Sequence, residues 1–489
     1  VRIDRHWFPA RRCQRDDQAG YWHCVDLPAV PPAAAPMPAS ALLPQVEDAR
    51  AAPIAPSLVY ITFSMPYTIS GVTERYYHGT GLIVDAERGL IVTDRDTVPE
   101  SLGDVRLIFA DTLEIPGKVV YVHPLHNLAV IQYDPRLIGA TPVKAAQFDT
   151  SPLKAGQSLD VVGLDNNGQL RARTTTISDV APLDLPLSRT VRFRESNLDV
   201  ASLVDPPDDV VGVLCAADGR VRGLWASFAV ENGQDLVQEM RGIPSDLVAE
   251  TVDLVRSGRP LHSLEAEFLP QTLASARQLG LSSSWVQRIS EADRTAREVL
   301  GVQRLVGGSD AAAQLQPGDI LLAIDGHPVT QFREVERLVA DKDQVQVSVW
   351  RSNGEKDLTV RTAALSGNDL SRLVEWAGAT LQNPYRAMSA QRGIANNGVY
   401  VAYYQFGSPA SHYGLVPGHR IVEVDGQPTP DLDAFLRQVQ GRADLSSLRI
   451  KLLDWNGAPQ VITLKLDRHY WPAYELRRSD TGWERIGLE

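Results

Sequence analysis

The stretch "HGTGLIVDAERGLIVTDRDTVPESLGDV", residues 78–105, decides the fold. Its two apolar runs, "GLIV" (81–84) and "LIVT" (90–93), flank the turn-forming "DAERG" and read as a β-hairpin. The second run ends in Thr93-Asp94-Arg95-Asp96, where a strand gives way to a polar loop. The same pattern continues on both sides: "LVYITFSM", "VRLIFA", "GKVVYV", "NLAVIQY", "LDVVGL", "VVGVLCA" and "VRGLWASFAV" are short β-type runs broken by Gly, Pro and Asp. Such spacing specifies an all-β barrel or sandwich. A helix closes the unit. "SDLVAETVDLVRSG" (245–258) has Ser245 or Asp246 to cap it, apolar residues at helical spacing, and Gly258 to stop it.

A chain of 489 residues exceeds one core and suits about three domains. Its formal net charge of -12 argues against a broad electrostatic footprint for nucleic acid. No apolar run is long enough for a bilayer-spanning helix. Residues 25–56, rich in Pro and Ala, read as a semi-stiff extended linker. Of the three cysteines, Cys13 and Cys24 flank a turn-like stretch and are a candidate disulfide, the alternative being two free thiols. Cys215 lies in an apolar run and reads as a small buried hydrophobe.

Two internal repeats organise the rest. "LQPGDILLAIDGHPVTQFREVERLV" (315–339) matches "LVPGHRIVEVDGQPTPDLDAFLRQV" (415–439) without a gap, which makes two copies of one module, near 262–364 and 365–466. "RIDRHWFPARRCQRDDQAGYW" (2–22) matches "KLDRHYWPAYELRRSDTGW" (465–483). The second copy follows a complete module. Residues 1–24 are therefore expected to be the tail hairpin of an upstream unit, and 467–489 its repeat.

"HGTGLIVDAERGLIVT", "NLAVIQY" and "VVGVLCAADGRVRGLWASF" together resemble the chymotrypsin-like domain of HtrA-type (DegP-like) serine proteases. The repeated modules resemble the PDZ domains that follow it. The domain order is similar to the C-terminal half of the duplicated protease–PDZ–PDZ type that includes the fungal nuclear pro-apoptotic serine protease. The resemblance implies a mainly β fold: a degenerate chymotrypsin-like double β-barrel over 57–258, then two PDZ-like α/β modules. It implies no cofactor. It suggests a bacterial periplasmic or, in a eukaryote, a nuclear location.

Carried over residue by residue, the family's catalytic histidine, aspartate and serine positions fall on Asp96, Asn127 and Val210. Acyl transfer of this kind needs a hydroxyl, a base and a group that orients the base. Valine has no nucleophilic atom, and Asp208 and Asp209 would oppose a developing oxyanion. The expectation is a pseudoprotease: no enzyme in this chain, with activity supplied by an N-terminal protease half and this chain acting in substrate binding, scaffolding or regulation. Two alternatives stay open, an active serine-type endopeptidase with an unrecognised site and a structural protein with empty PDZ grooves. Asp94 and Asp96 read as a solvated loop, Ser188, Ser196 and Ser202 as ordinary loop serines, and His123 with His126 lacks the ligands to complete a metal site.

PDZ domains add an extended peptide to a strand edge beside a helix. The expected groove helices are 331–340 and 431–440. In the first module Pro270 removes a backbone donor near the carboxylate loop. In the second, "WAGA" is compatible with one. The expected peptide-binding residues are therefore Trp376, Ala377, Gly378, Ala379 and Phe435, and the expected partners are peptides or protein C-termini, with a homo-oligomer possible.

Overall fold

The structure is a computed structural model. It describes residues 39–488 apart from 66, 69–73, 188–192, 208–209, 233–234, 296, 353, 368–369 and 480–481, together with the backbone of the strands Arg11–Asp16 and Tyr21–Asp26. Those two strands form an antiparallel hairpin that sets Cys13 opposite Cys24 in register. Their side chains, and hence the disulfide, lie outside the described residues.

The fold is mainly β, with two closed six-stranded barrels followed by PDZ-like modules. Barrel 1 runs in the order Leu58–Ser64, Tyr76–Asp85, Leu90–Thr93, Ala129–Gln132, Leu113–Val122 and Asp104–Phe109. The opening hairpin sits in its wall, with Leu82 opposite Val92 and Ile83 opposite Ile91. Ile61, Phe63, Ile83, Ile91, Leu107 and Ile131 fill the interior. Barrel 2 runs Leu170–Pro182, Asp199–Leu203, Asp235–Pro244, Val221–Asn232, Val211–Cys215 and Ser158–Leu164. Here Gly212 and Gly163 face each other across adjacent strands. A Cβ on Gly212 would stand 2.2 Å from the Val162 carbonyl oxygen, so strand approach alone demands glycine in "VVGVL". The helix Ser245–Ser257 packs on barrel 2 and ends at Gly258, whose φ of 66° is left-handed.

Module 1 has a sheet in the order Ala266–Thr272, Glu298–Leu305, Ile320–Ile324, Gln344–Arg351 and Gly354–Arg361, with the helix Phe332–Val339 on it. In module 2 the equivalents of Ile320–Ile324 and Phe332–Val339 are Arg420–Val424 and Leu432–Val439, each 100 positions on. The module 2 sheet is longer. It continues past Ala379–Gln382 through Arg372–Trp376 to the terminal hairpin Tyr474–Ser479 and Gly482–Gly487. Leu370, Leu373 and Leu476 from this extension belong to the core of barrel 1. Burying a leucine contributes about 2 kcal/mol, so the last hairpin is part of what holds the first barrel.

Residues 39–57 differ from a free spacer. Ala41, Ala51 and Ile54 are buried, and the Ala41 N–H donates to Thr141 Oγ1 at 2.9 Å. Ala41 joins the barrel 1 core, and Ala51 and Ile54 join the cluster shared by the two barrels, so the segment lies against both.

Candidate functional site

A cleft of about 680 Å3 separates the barrels, with His78, Arg95, Asp96, Asn127, Val210 and Ser227 on its walls. The three positions carried over from the family resemblance therefore meet in one place. Asn127 is buried and acts as a brace: its Oδ1 accepts from the Arg95 N–H and its Nδ2 donates to the Ser227 carbonyl, both at 2.6 Å. Val210 is buried in barrel 2's apolar cluster.

Asp96 makes the contact that sequence reasoning missed. Its Oδ2 accepts from Ser227 Oγ at 2.5 Å and from Gln238 Nε2 at 2.9 Å. Ser227 sits in "WASFAV", where a small strand residue carries no signal of function. Asp94 corrects the expectation of a solvated loop, because its side chain is fully buried. It accepts the Thr97 and Ser227 backbone N–H groups at 2.8 and 2.9 Å. These bonds compensate the burial only in part. Burial first, and then the charge of Asp96, push the Asp94 carboxyl up to about 6. His78 lies on the rim with Nε2 3.3 Å from Asn166 Oδ1. Ser202 lies in a barrel 2 strand and Ser196 is buried outside the cleft wall, while Ser188, Asp208 and Asp209 fall outside the described residues.

His126 joins barrel 1 to module 1, with the His123 ring 4.7 Å from its own. His123 Nδ1 accepts two backbone N–H groups, and burial holds its pKa well below the ordinary value. His126 Nε2 lies 2.6 Å from Glu336 Oε1 on the module 1 helix. Arg333 on the same helix pairs with Glu336, Glu250 and Asp246. Burial opposes the Glu336 charge, but His126 and Arg333 outweigh it and keep its carboxyl below the usual range. Among the described residues no group of three or more His, Cys, Asp or Glu side chains is placed to hold a metal.

The two modules treat their peptide-type edges differently. In module 1 the strand Ala266–Thr272 pairs with a strand on one side only. On the other side the Asn197 carboxamide donates to the Ala266 carbonyl and accepts from the Phe268 N–H, both at 2.8 Å. In module 2 the strand Ala379–Gln382 is paired on both sides, because Arg372–Trp376 folds back on it. The turn between them is Ala377-Gly378, with φ of 53° and 78°, the positive-φ pair of a tight hairpin. Trp376, Ala377, Ala379 and Phe435 are buried in the module core, and the Trp376 and Phe435 rings meet edge-on at 5.3 Å. The residues expected to line an open groove are thus placed in a core and a turn.

Two closed six-stranded barrels clasping a cleft, followed by PDZ-like modules, make a chymotrypsin-like architecture. Residues 369–442 match the PDZ-like domain family. The chain is homologous over nearly its whole length to the fungal pro-apoptotic serine proteases. It is 32% identical over 506 residues to "Pro-apoptotic serine protease nma111" of Aspergillus terreus, covering 99% of this chain and 49% of that protein. It is 33% identical over 509 residues to "Pro-apoptotic serine protease NMA111" of Phaeosphaeria nodorum, with 99% and 49% covered. The chain spans about half the length of the curated relatives it matches. Among solved structures it is similar to "HtrA-type protease AlgW with tripeptide", at 19% identity and a TM-score of 0.46 over 65% of this chain and 96% of that one.

These relatives correct the pseudoprotease expectation. The proteins that match 99% of the chain are named serine proteases, so the assignment of this chain as a non-enzyme, served by a separate N-terminal protease half, is withdrawn. Substitution at three motif positions shows only that the family's usual atoms are absent from them.

Proposed function

We propose that the chain is part of a serine-type endopeptidase and that its inter-barrel cleft takes an extended polypeptide. The observation that supports this reading is that 99% of the chain matches about half the length of named serine proteases. The cleft supports it with one hydroxyl–carboxylate pair, Ser227 and Asp96. In the corresponding reaction, Ser227 Oγ bonds to the scissile carbonyl carbon as its proton passes to Asp96. The C–N bond then breaks, and Asp96 returns the proton to the leaving amine. Water hydrolyses the acyl group by the same relay in reverse. A carboxylate is a weaker base than imidazole near neutral pH, so turnover through this pair is slow.

Recognition of peptides or C-termini falls to module 1, whose Ala266–Thr272 edge has a strand on one side only, once a peptide backbone displaces the Asn197 carboxamide from it. The test is casein digestion and fluorophosphonate labelling, on this chain and on the longer protein. Turnover with label recovered on Ser227, both lost in Ser227→Ala, is the expected result. Absence of turnover and label from both proteins overturns the reading.

A further inference from the structure

A second cavity, of about 610 Å3, opens where three bodies meet. Barrel 1 supplies Leu90, Val120 and Tyr121, the end of the helix Ser245–Ser257 supplies Leu254, and the stretch joining the modules supplies Leu365. The volume is that of a small-molecule site. The wall is largely apolar but carries three guanidiniums, those of Arg88, Arg256 and Arg259, and no Asp or Glu. Arg256 pairs with Asp85 at 2.9 Å and Asp253 at 3.7 Å, and Arg259 with Asp341 at 2.5 Å, all three partners lying outside the wall. Arg88 forms no ion pair among the described residues, and Asp85 feels its charge only through space. The helix ending at Gly258 directs its negative end here, and the full charge of Arg88 outweighs that partial one.

An apolar wall disfavours a small hydrated anion, and three guanidiniums disfavour a cation. We infer that this cavity binds a medium-chain carboxylate, with the apolar stem against Leu90, Val120, Leu254 and Leu365 and the carboxylate at Arg88. Such a ligand touches barrel 1, the barrel-to-module turn and the inter-module stretch at once. It therefore holds three bodies in one arrangement and stabilises the folded chain by mass action.

The test uses the full chain with dodecanoate below its micelle concentration, and with dodecanol and dodecyltrimethylammonium as neutral and cationic controls. Calorimetric titration is expected to show dodecanoate binding at least tenfold tighter than either control, with a rise in thermal midpoint. Arg88→Gln, at an exposed side chain, weakens binding about tenfold. Leu365→Glu, which puts an acid in the wall, weakens it further. Equal affinity for dodecanol, no dodecanoate binding to a cooperatively folded chain, or an affinity unmoved by both variants overturns the inference. So does binding of a peptide with an apolar free C-terminus there in place of dodecanoate.

Discussion

Asn197 takes the place of a strand beside Ala266. Its carboxamide donates to the Ala266 carbonyl and accepts from the Phe268 N–H, both at 2.8 Å, as a neighbouring backbone would. One barrel 2 side chain thereby satisfies the edge on which module 1 would add a peptide. Arg194, three residues earlier, pairs with Glu267 on the same strand, and Glu267 also meets Arg304 at 3.2 Å.

Asn197→Ala is expected to cost about 2 kcal/mol, two hydrogen bonds at about 1 kcal/mol each, read by urea unfolding. The Phe268 amide should exchange with solvent at least tenfold faster than in the parent. An unchanged exchange rate at Phe268 would show that the carboxamide does not guard this edge.

Ser227 and Asp96 make separable predictions. Ser227→Ala removes the hydroxyl but leaves the Ser227 N–H bond to Asp94 in place. It is expected to abolish any fluorophosphonate label while lowering stability by no more than about 1 kcal/mol. Asp96→Asn keeps an acceptor for Ser227 Oγ and Gln238 but removes the base, so labelling should fall while the thermal midpoint holds. A label that persists in both variants places the nucleophile elsewhere.

The pH dependence of stability follows from buried carboxyls. Burial raises Glu375 to about 7 and Asp199 to about 6, and Asp94 reaches about 6. A carboxyl whose pKa is higher in the folded chain keeps its proton there while the unfolded chain has released it. Folding is thus favoured at low pH, and this contribution is lost as pH rises from about 4 through the folded values. His123, whose folded pKa is depressed, acts oppositely below about 6.5. Glu375→Gln separates the two effects. Gln retains the oxygen that accepts from Thr380 Oγ1, so the variant should match the parent near pH 4.5. It should exceed the parent by about 3 kcal/mol at pH 8. Parallel stability curves across that range would rule out a neutral Glu375.

Trp376→Ala tests the placement of the second module's aromatic residues. Removing a ring packed edge-on against Phe435 is expected to cost about 3–5 kcal/mol, seen as loss of the thermal transition. A variant that stays as stable as the parent but loses peptide affinity would return Trp376 to a binding role.

The double barrel was legible from residues 78–105 because alternating apolar runs around a turn survive any change in chemistry. The repeated modules were legible because Pro-Gly and Asp-Gly turns punctuate them at constant spacing. Other features could not be read locally. Asn197 meets partners about 70 positions away, and Ser227 meets Asp96 across 131. The Ala377-Gly378 turn lacks the Asn-Gly or Asp-Gly signature of its type, so "WAGA" read as a loop when it is a hairpin. Asp94 read as solvated because its compensating N–H donor on Ser227 lies in a distant strand.

Leu476 in the core of barrel 1 has a consequence for how the chain is made. Barrel 1's own strands end at Gln132, so they leave the ribosome some 340 residues before the hairpin that adds Leu476 to their core. At about 5–20 residues per second the nascent barrel stays incomplete for tens of seconds. Force-sensitive arrest sequences placed after Gln132 and after Glu489 should report a weak pull at the first position and a strong one at the second.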